Sequence, residues 1–327
     1  MKPPVRIELP TIFGMKTVNA YLFVEPEPVL IDCGENTPAS WEALEYGLRQ
    51  QNLEWTDLRR IIITHAHVDH IGMANRVATA SGADVWVNEL CYDWALQPAS
   101  MWTKRVEMLR QLMLADLPKG AAAGPLGQIM QSFSDAVIQV WEPLPPECLQ
   151  TFPVDGQLRF GGALWKVIYA PGHTNMQTCF YQPDSKYLVA ADMLLHIAPT
   201  PVIEFALDQP DQREKGMLQL LESYQKMLEL DIETVYPGHG VPFSNHRRVI
   251  RRQLARIEQR QAEVYRLIQN GQHRFFDLFT SLYNNPMNLP GMSMLRGYLD
   301  LLMEAGMVVE KTSGVRRSFH SVTQTVD

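Results

Sequence analysis

Ile61-Ile62-Ile63-Thr64-His65-Ala66-His67-Val68-Asp69-His70 sets three imidazoles and a carboxylate directly behind an apolar run. Three consecutive β-branched residues predict a short buried strand, so the polar cluster begins where that strand leaves the core. Imidazole nitrogen and carboxylate oxygen are the donors that zinc takes in catalytic sites. In extended backbone alternate residues share a face, which would turn His65, His67 and Asp69 the same way. His70 then needs a turn to reach a second ion. The spacing predicts a dinuclear metal site at a strand end.

Three further pieces extend the pattern. Ala170-Pro171-Gly172-His173 follows an apolar strand, and Pro-Gly forces a sharp turn that would present His173. Tyr236-Pro237-Gly238-His239 repeats that device, and Ala190-Ala191-Asp192 ends another apolar stretch with a carboxylate. A single loop histidine means little. Two Pro-Gly-His turns and a strand-terminal Asp, in a chain that already holds His65, His67, Asp69 and His70, make a coherent ligand set. Asp32, in Ile31-Asp32-Cys33-Gly34, is a candidate to orient one of the imidazoles, or else a turn residue bonding its own backbone. His196 either reaches a leaving group or is an ordinary loop histidine. His246, His273 and His320 read as structural.

Around these motifs the chain alternates strand and helix. Ala20–Val24, Val29–Ile31, Arg60–Ile63 and Val85–Val87 read as strands, Thr37–Gln51 and Asp69–Ala80 as helices. Residues 91–150 interrupt that rhythm with helical stripes at Trp102, Val106, Leu109 and Met113 and at Met130, Phe133, Val137 and Trp141. Pro118 to Pro125 breaks the chain between them. The stripes are either packing helices or an apolar cap with room for an acyl group. Strands return at Trp165–Ala170, Thr178–Gln182, Tyr187–Ala191 and Thr234–Tyr236, with a helix over Arg213–Glu229. From about residue 245 a long Arg-rich helix runs to Gln269 and stops at Asn270-Gly271. Helices over Phe275–Tyr283 and Met292–Ala305 and a hairpin across Ser313-Gly314 follow. The expected organisation is residues 1–244 as one domain, with the insertion at about 91–150, and residues 245–327 as a winged-helix-like unit.

Composition narrows the class. The 327 residues are 46% hydrophobic and 20% charged, ordinary for a globular protein with a sizeable core. Cys33, Cys91, Cys148 and Cys179 form no CxxC pair and read as buried thiols. The start lacks a signal-like apolar stretch, and no run approaches the length of a membrane span, so a cytoplasmic location and no membrane partner are expected. The net charge of −7 is uneven. Residues 245–327 carry 12 Lys+Arg against 7 Asp+Glu, leaving 17 basic and 29 acidic residues in the rest. Such a basic tail fits either a solvated helix face or nucleic-acid contact through Lys311, Arg316 and Arg317.

The order HxHxDH, His, Asp, His resembles the metallo-β-lactamase superfamily over about residues 5–244. The resemblance implies an α/β fold, the αββα sandwich, with ligands on loops at one edge of two sheets. It also implies that His65, His67 and His173 hold one ion, that Asp69, His70 and His239 hold the other, and that Asp192 bridges them. Asp192 argues against antibiotic cleavage, because the β-lactamases of the superfamily lack that bridging residue. His67 argues against flavodiiron-type redox chemistry, where a Glu stands, and Leu195 replaces the Tyr characteristic of quorum-signal lactonases. The layout is most similar to hydrolases of the glyoxalase II and LACTB2-like kind with a C-terminal winged helix.

The expected function is therefore a zinc-dependent hydrolase with two ions, iron or manganese being alternatives. A hydroxide activated between the ions would attack the carbonyl of a small acylated thioester, ester or lactone, with Asp69 and Asp192 as its catalytic carboxylates. Two other classes stay open. A metal-dependent phosphodiesterase or ribonuclease would use the basic tail, although the acidic main part opposes a polyanion. A metal-holding regulator would act through the C-terminal unit. A homodimer is a further expectation.

Overall fold

The computed structural model describes residues 1–116, 124–202, 214–284, 288–314 and 316–322. Strands β1 (Val5–Pro10), β2 (Thr17–Phe23), β3 (Val29–Ile31), β4 (Arg60–Ile62), β5 (Asp84–Asn88) and β6 (Leu149–Phe152) form one sheet in chain order. Its first three strands pair antiparallel and the rest parallel. The second sheet runs β11-β10-β9-β8-β7, from β7 (Gly156–Phe160), β8 (Ala163–Tyr169), β9 (Thr178–Gln182), β10 (Tyr187–Ala191) and β11 (Thr234–Pro237).

Strand alternation sorts the side chains into layers. Ile31 and Ile62 point into a core between the sheets, while their neighbours Leu30, Ile61 and Ile63 point outward into a second core. Phe180 faces the inter-sheet core and the adjacent Cys179 and Tyr181 face a third. Aromatic contacts join the sheets: Phe23 lies edge-on to Trp165 at 5.5 Å and to Phe160 at 5.3 Å.

Helices cover both outer faces, which completes the αββα order. On the first sheet lie α1 (Pro38–Arg49), α2 (Val68–Ile71), α3 (Ala74–Ser81), α4 (Tyr92–Leu96), α5 (Pro98–Asp116) and α6 (Pro125–Gln139). Thr37 caps α1 by accepting from the Ser40 amide at 3.1 Å, with Pro38 in the first turn where its missing N–H costs nothing. On the second sheet lie α7 (Gly216–Glu229), α8 (His246–Gln269), α9 (Phe275–Leu282) and α10 (Leu289–Glu304). The hairpin of β12 (Val308–Ser313) and β13 (Arg316–Ser321) packs Val308 and Phe319 into the same cluster. Residues after 245 thus share a continuous apolar core with α7, β9 and β10. Among the described residues no helix is long and apolar enough to cross a membrane.

The structure departs from the sequence expectation in particular places. A single helix over Asp69–Ala80 is instead two, because the Met73 amide leaves the helical ladder to bond Gly34 O at 2.9 Å. A Cβ on Gly72 would also sit 2.8 Å from Val140 O, so the break is built for close chain approach. Strands β1, β6 and β7 had no counterpart in the sequence reading. Residues 117–123 and 203–213, which hold most of the expected break at 118–125 and the start of the helix over Arg213–Glu229, lie outside the described residues, as do the side chains of Met113 and Met130. In the insertion, Trp102, Val137 and Trp141 are buried in the same apolar cluster as Ile71 and Met73. Phe133 instead keeps 37% of its surface exposed.

Candidate metal centre

The ends of β4, β8, β10 and β11 deliver the seven side chains to one edge of the sandwich. After β4, Thr64 turns the chain: its amide and hydroxyl donate to the two Asp32 oxygens at 2.8 and 2.9 Å. His65 follows, His67 stands at the start of α2, and Asp69 and His70 lie in its first turn. Asp69 therefore comes round by helical rotation rather than by strand alternation, which corrects the extended-chain expectation. His173 sits after β8, where Gly172 takes φ +135° and presses against Leu220 of α7. Asp192 directly follows β10, whose last residue, Ala191, has φ +42°. His239 ends the turn after β11.

All seven converge. The ligand atoms of His65, His67 and His173 lie within 4.8 Å of one another, as do those of Asp69, His70 and His239 and those of His65, His70 and Asp192. Asp192 Oδ2 lies 3.2 Å from His239 Nε2 and 3.4 Å from His173 Nε2, and Oδ1 lies 3.5 Å from His70 Nε2. His239 Nε2 is 3.4 Å from Asp69 Oδ2. His65, His70, His173, Asp192 and His239 are buried, whereas His67 and Asp69 keep partial exposure and mark the open side.

The outward nitrogens are fixed. His70 Nδ1 meets Asp32 Oδ2 at 2.7 Å, His239 Nδ1 meets Thr17 O at 2.6 Å, and His173 Nδ1 meets Pro201 O at 2.8 Å. His65 Nδ1 faces the Thr64 hydroxyl at 3.0 Å. Each contact aims Nε2 inward, the arrangement by which neighbouring acceptors orient metal-binding imidazoles. Asp32 is thus placed to hold both His70 and the Thr64 turn. The carbonyls of Thr17 and Pro201 had no sequence signal, since every residue carries one. His196 stands apart, its ring against Phe243 at 4.8 Å, and His273 stacks on His320 at 4.3 Å.

The centre has the chemistry of a cation site. His70 Nε2 and Asp192 Oδ1 are buried without a hydrogen-bond partner, an arrangement that costs stability unless something fills it. Burial opposes charge on His239, yet Asp192 and Asp69 outweigh it and hold its pKa up to about 10. Against the same burial, Asp32, Asp69 and Asp192 keep His70 well above the ordinary value. Burial works against the charge of Asp69 too, but His70 and His239 bring it down to about 2. Asp192 is held low by the same two imidazoles. Burial, then crowding by other imidazoles, pushes His65 well down and His173 to about 4. The carboxylates thus attract positive charge at His70 and His239, while His65 and His173 offer neutral lone pairs.

Proton release on metal uptake follows. Ligation requires neutral imidazole, and His239 without metal holds a proton at every pH below about 10. Binding near pH 7.5 should therefore release at least one proton, and affinity should fall as pH is lowered. His173 contributes no proton until pH approaches 4. Calorimetric titrations in two buffers of unlike ionisation enthalpy measure this; equal heats in both would contradict it.

Comparison with known proteins agrees with this geometry. The family model described as Metallo-beta-lactamase superfamily matches residues 14–239. The chain is 25% identical over 303 residues to "Probable metallo-hydrolase YqjP" of Bacillus subtilis (strain 168), covering 91% of each chain. Over 126 residues, 38% of this chain and 36% of the other, it is 25% identical to "Atrochrysone carboxyl ACP thioesterase" of Aspergillus fumigatus. Among solved structures, a metallo-beta-lactamase family protein from Thermus thermophilus superposes with a TM-score of 0.77 at 20% identity, over 98% of this chain and 99% of that one.

Proposed function

The chain belongs to the metallo-β-lactamase superfamily, and from that premise we propose that it is a dinuclear zinc-dependent hydrolase of thioesters, esters or lactones of small acylated molecules. The observation that carries this reading is the convergence of His65, His67, His173, Asp69, His70, His239 and Asp192, with unpartnered polar atoms at its centre. His65, His67 and His173 would hold one ion, Asp69, His70 and His239 the other, and Asp192 both. Bound ions would supply an activated water and a Lewis acid for the carbonyl oxygen. The substrate carbonyl enters on the open side, past His67 and Asp69. Asp69, ionised and partly exposed, would accept a hydrogen bond from the attacking water and relay its proton to the departing thiolate or alkoxide. The partial likeness to a thioesterase supports a thioester among the acyl substrates.

Purified protein should contain two equivalents of zinc and hydrolyse an acyl thioester or ester. Chelation should abolish turnover and added zinc restore it. His67→Ala should lower kcat/KM by more than about 100-fold, the loss reached even by groups one step removed from a metal. A panel of thioesters, esters and lactones without turnover by zinc-loaded protein would refute the reading.

One observation favours a second reading. Arg248, Arg251, Arg252 and Arg256 are exposed along α8, and none forms an ion pair among the described residues. That basic face, with residues 245–327 as a winged-helix-like unit, suits a metal-dependent phosphodiesterase or ribonuclease. Zinc-dependent cleavage of single-stranded RNA, with no acyl turnover, would establish it instead.

A further inference from the structure

The loop between β1 and β2, residues 11–16, is tied to the metal centre from both sides. Downstream, β2 opens with Thr17, whose carbonyl accepts from His239 Nδ1 at 2.6 Å. Upstream, the Glu35 carboxylate accepts the Ile12 amide at 2.7 Å on Oε2 and the Phe13 amide at 3.0 Å on Oε1. Glu35 belongs to the segment that starts at Asp32 and supports α2: the Cys33 amide bonds His70 O, and Gly34 O receives the Met73 amide. It is also near enough to Asp69 for the two charges to repel.

Glu35 is fully buried without a salt bridge among the described residues. Burying a carboxylate is costly, and two backbone amides are its whole return. What they fix is an apolar surface beside α2, the helix that carries Asp69, where a Cβ on Gly72 would sit 3.2 Å from Glu35 Cα. Ile12 is 67% exposed, and Phe13 lies edge-on to Phe133 of α6 at 5.1 Å. Ile129, one helical turn before Phe133, is 49% exposed. Large apolar side chains grouped in solvent beside a binding site mark a surface with an occupant.

We propose that Ile12, Phe13, Ile129 and Phe133 seat the apolar acyl chain of the substrate, and that Glu35 is the positioning residue that holds this seat against the metal centre. The proposal rests on the hydrolase reading above, and it names the substrate class as acyl groups with long aliphatic chains. Chain placement follows from continuity with the site: a carbonyl held beside His67 and Asp69 leaves its alkyl tail beside the loop and α6. A glutamine at position 35 could accept only one of the two amides, since its nitrogen is a donor. Aspartate keeps both acceptors on a shorter stem.

The test uses zinc-loaded full-length protein with acetyl, hexanoyl and dodecanoyl thioesters. Wild type should prefer the longer chains. In the Ile129→Ser/Phe133→Ser double variant the ratio of dodecanoyl to acetyl kcat/KM should fall at least tenfold; an equal fall for both overturns the seat. Amide hydrogen exchange reads Glu35 without any turnover. Exchange at Ile12 and Phe13 should accelerate at least tenfold in Glu35→Gln and less in Glu35→Asp, with KM for the dodecanoyl substrate rising more than kcat falls. Unchanged exchange, or loss of zinc from Glu35→Gln, overturns the positioning role. Absence of turnover on every chain length would refute the hydrolase reading and the seat with it, while exchange still decides whether Glu35 holds the loop.

Discussion

Asp192→Ala protein is expected to fail at metal retention and turnover together, with kcat/KM reduced by more than about 100-fold. Asp192 touches imidazoles of both trios, so its removal opens both at once. The metal-free protein offers a second readout. Asp192 holds His239 protonated up to about 10, and without it His239 and His70 face each other across a buried space with less counter-charge. Breaking a buried charged pair costs about 3–5 kcal/mol. The pH dependence has a definite sign. A raised imidazole pKa stabilises fully below the unfolded value of about 6.5, and that contribution is lost as pH rises through about 10. The depressed carboxylate acts oppositely, its contribution vanishing as acid protonates Asp192. Wild type without metal should therefore exceed the variant most near pH 6, with the gap closing toward pH 10 and in acid. Denaturant titrations of chelator-treated proteins measure the gap; one independent of pH would contradict this account.

The candidate ligands were more legible in the sequence than their scaffold, and the reasons are physical. His65, His67, Asp69 and His70 stand out because rare donor types crowd behind an apolar strand, and Pro-Gly turns before His173 and His239 repeat one local device. Strands β3 and β4 and helix α8, with its Asn270-Gly271 stop, were legible because their patterns are local. β1 carries an equally local signal, the alternation of Val5, Ile7 and Leu9 with Arg6 and Glu8, but it is short and lacks the continuous apolar run by which the other strands stand out. The break between α2 and α3 depends on Gly34, far away in sequence. Asp32 left two readings open; the fold settles its contacts, which run to Thr64 and His70 at φ +57°. Glu35 carried no motif at all. Its partners are backbone amides, and any residue at positions 12 and 13 other than proline would supply them.

Gly238→Ala should damage the centre far out of proportion to the single methyl that it adds. A Cβ at Gly238 would lie 2.9 Å from His70 Cε1 and closer still to Asp192 Oδ1, with Ala191 C at 3.2 Å. Carbon and its neighbours prefer roughly 3.5–4.0 Å, and although Oδ1 ends a short side chain, Asp192 cannot swing away without drawing Oδ2 off His239 and His173. His70 is pinned by Asp32 at 2.7 Å, and the Gly238 amide by Ala191 O at 2.8 Å. The turn itself must move, and His239 follows it. Overpacking of this kind costs about 1–3 kcal/mol, a modest loss of stability in a chain of this size. The loss of function should be far larger, because a shift of His239 or Asp192 spoils both trios: zinc content should drop and kcat/KM should fall by more than about 100-fold. Gly306→Ala separates the two effects. Gly306 has φ +67° and open space around it, so alanine there meets only the left-handed backbone penalty of about 1–2 kcal/mol. Two variants of similar stability, one retaining zinc and turnover and one losing both, would show that the residue before His239 is glycine because the ligands on either side leave no volume for a side chain. A Gly238→Ala protein with full zinc and wild-type turnover would refute that packing argument.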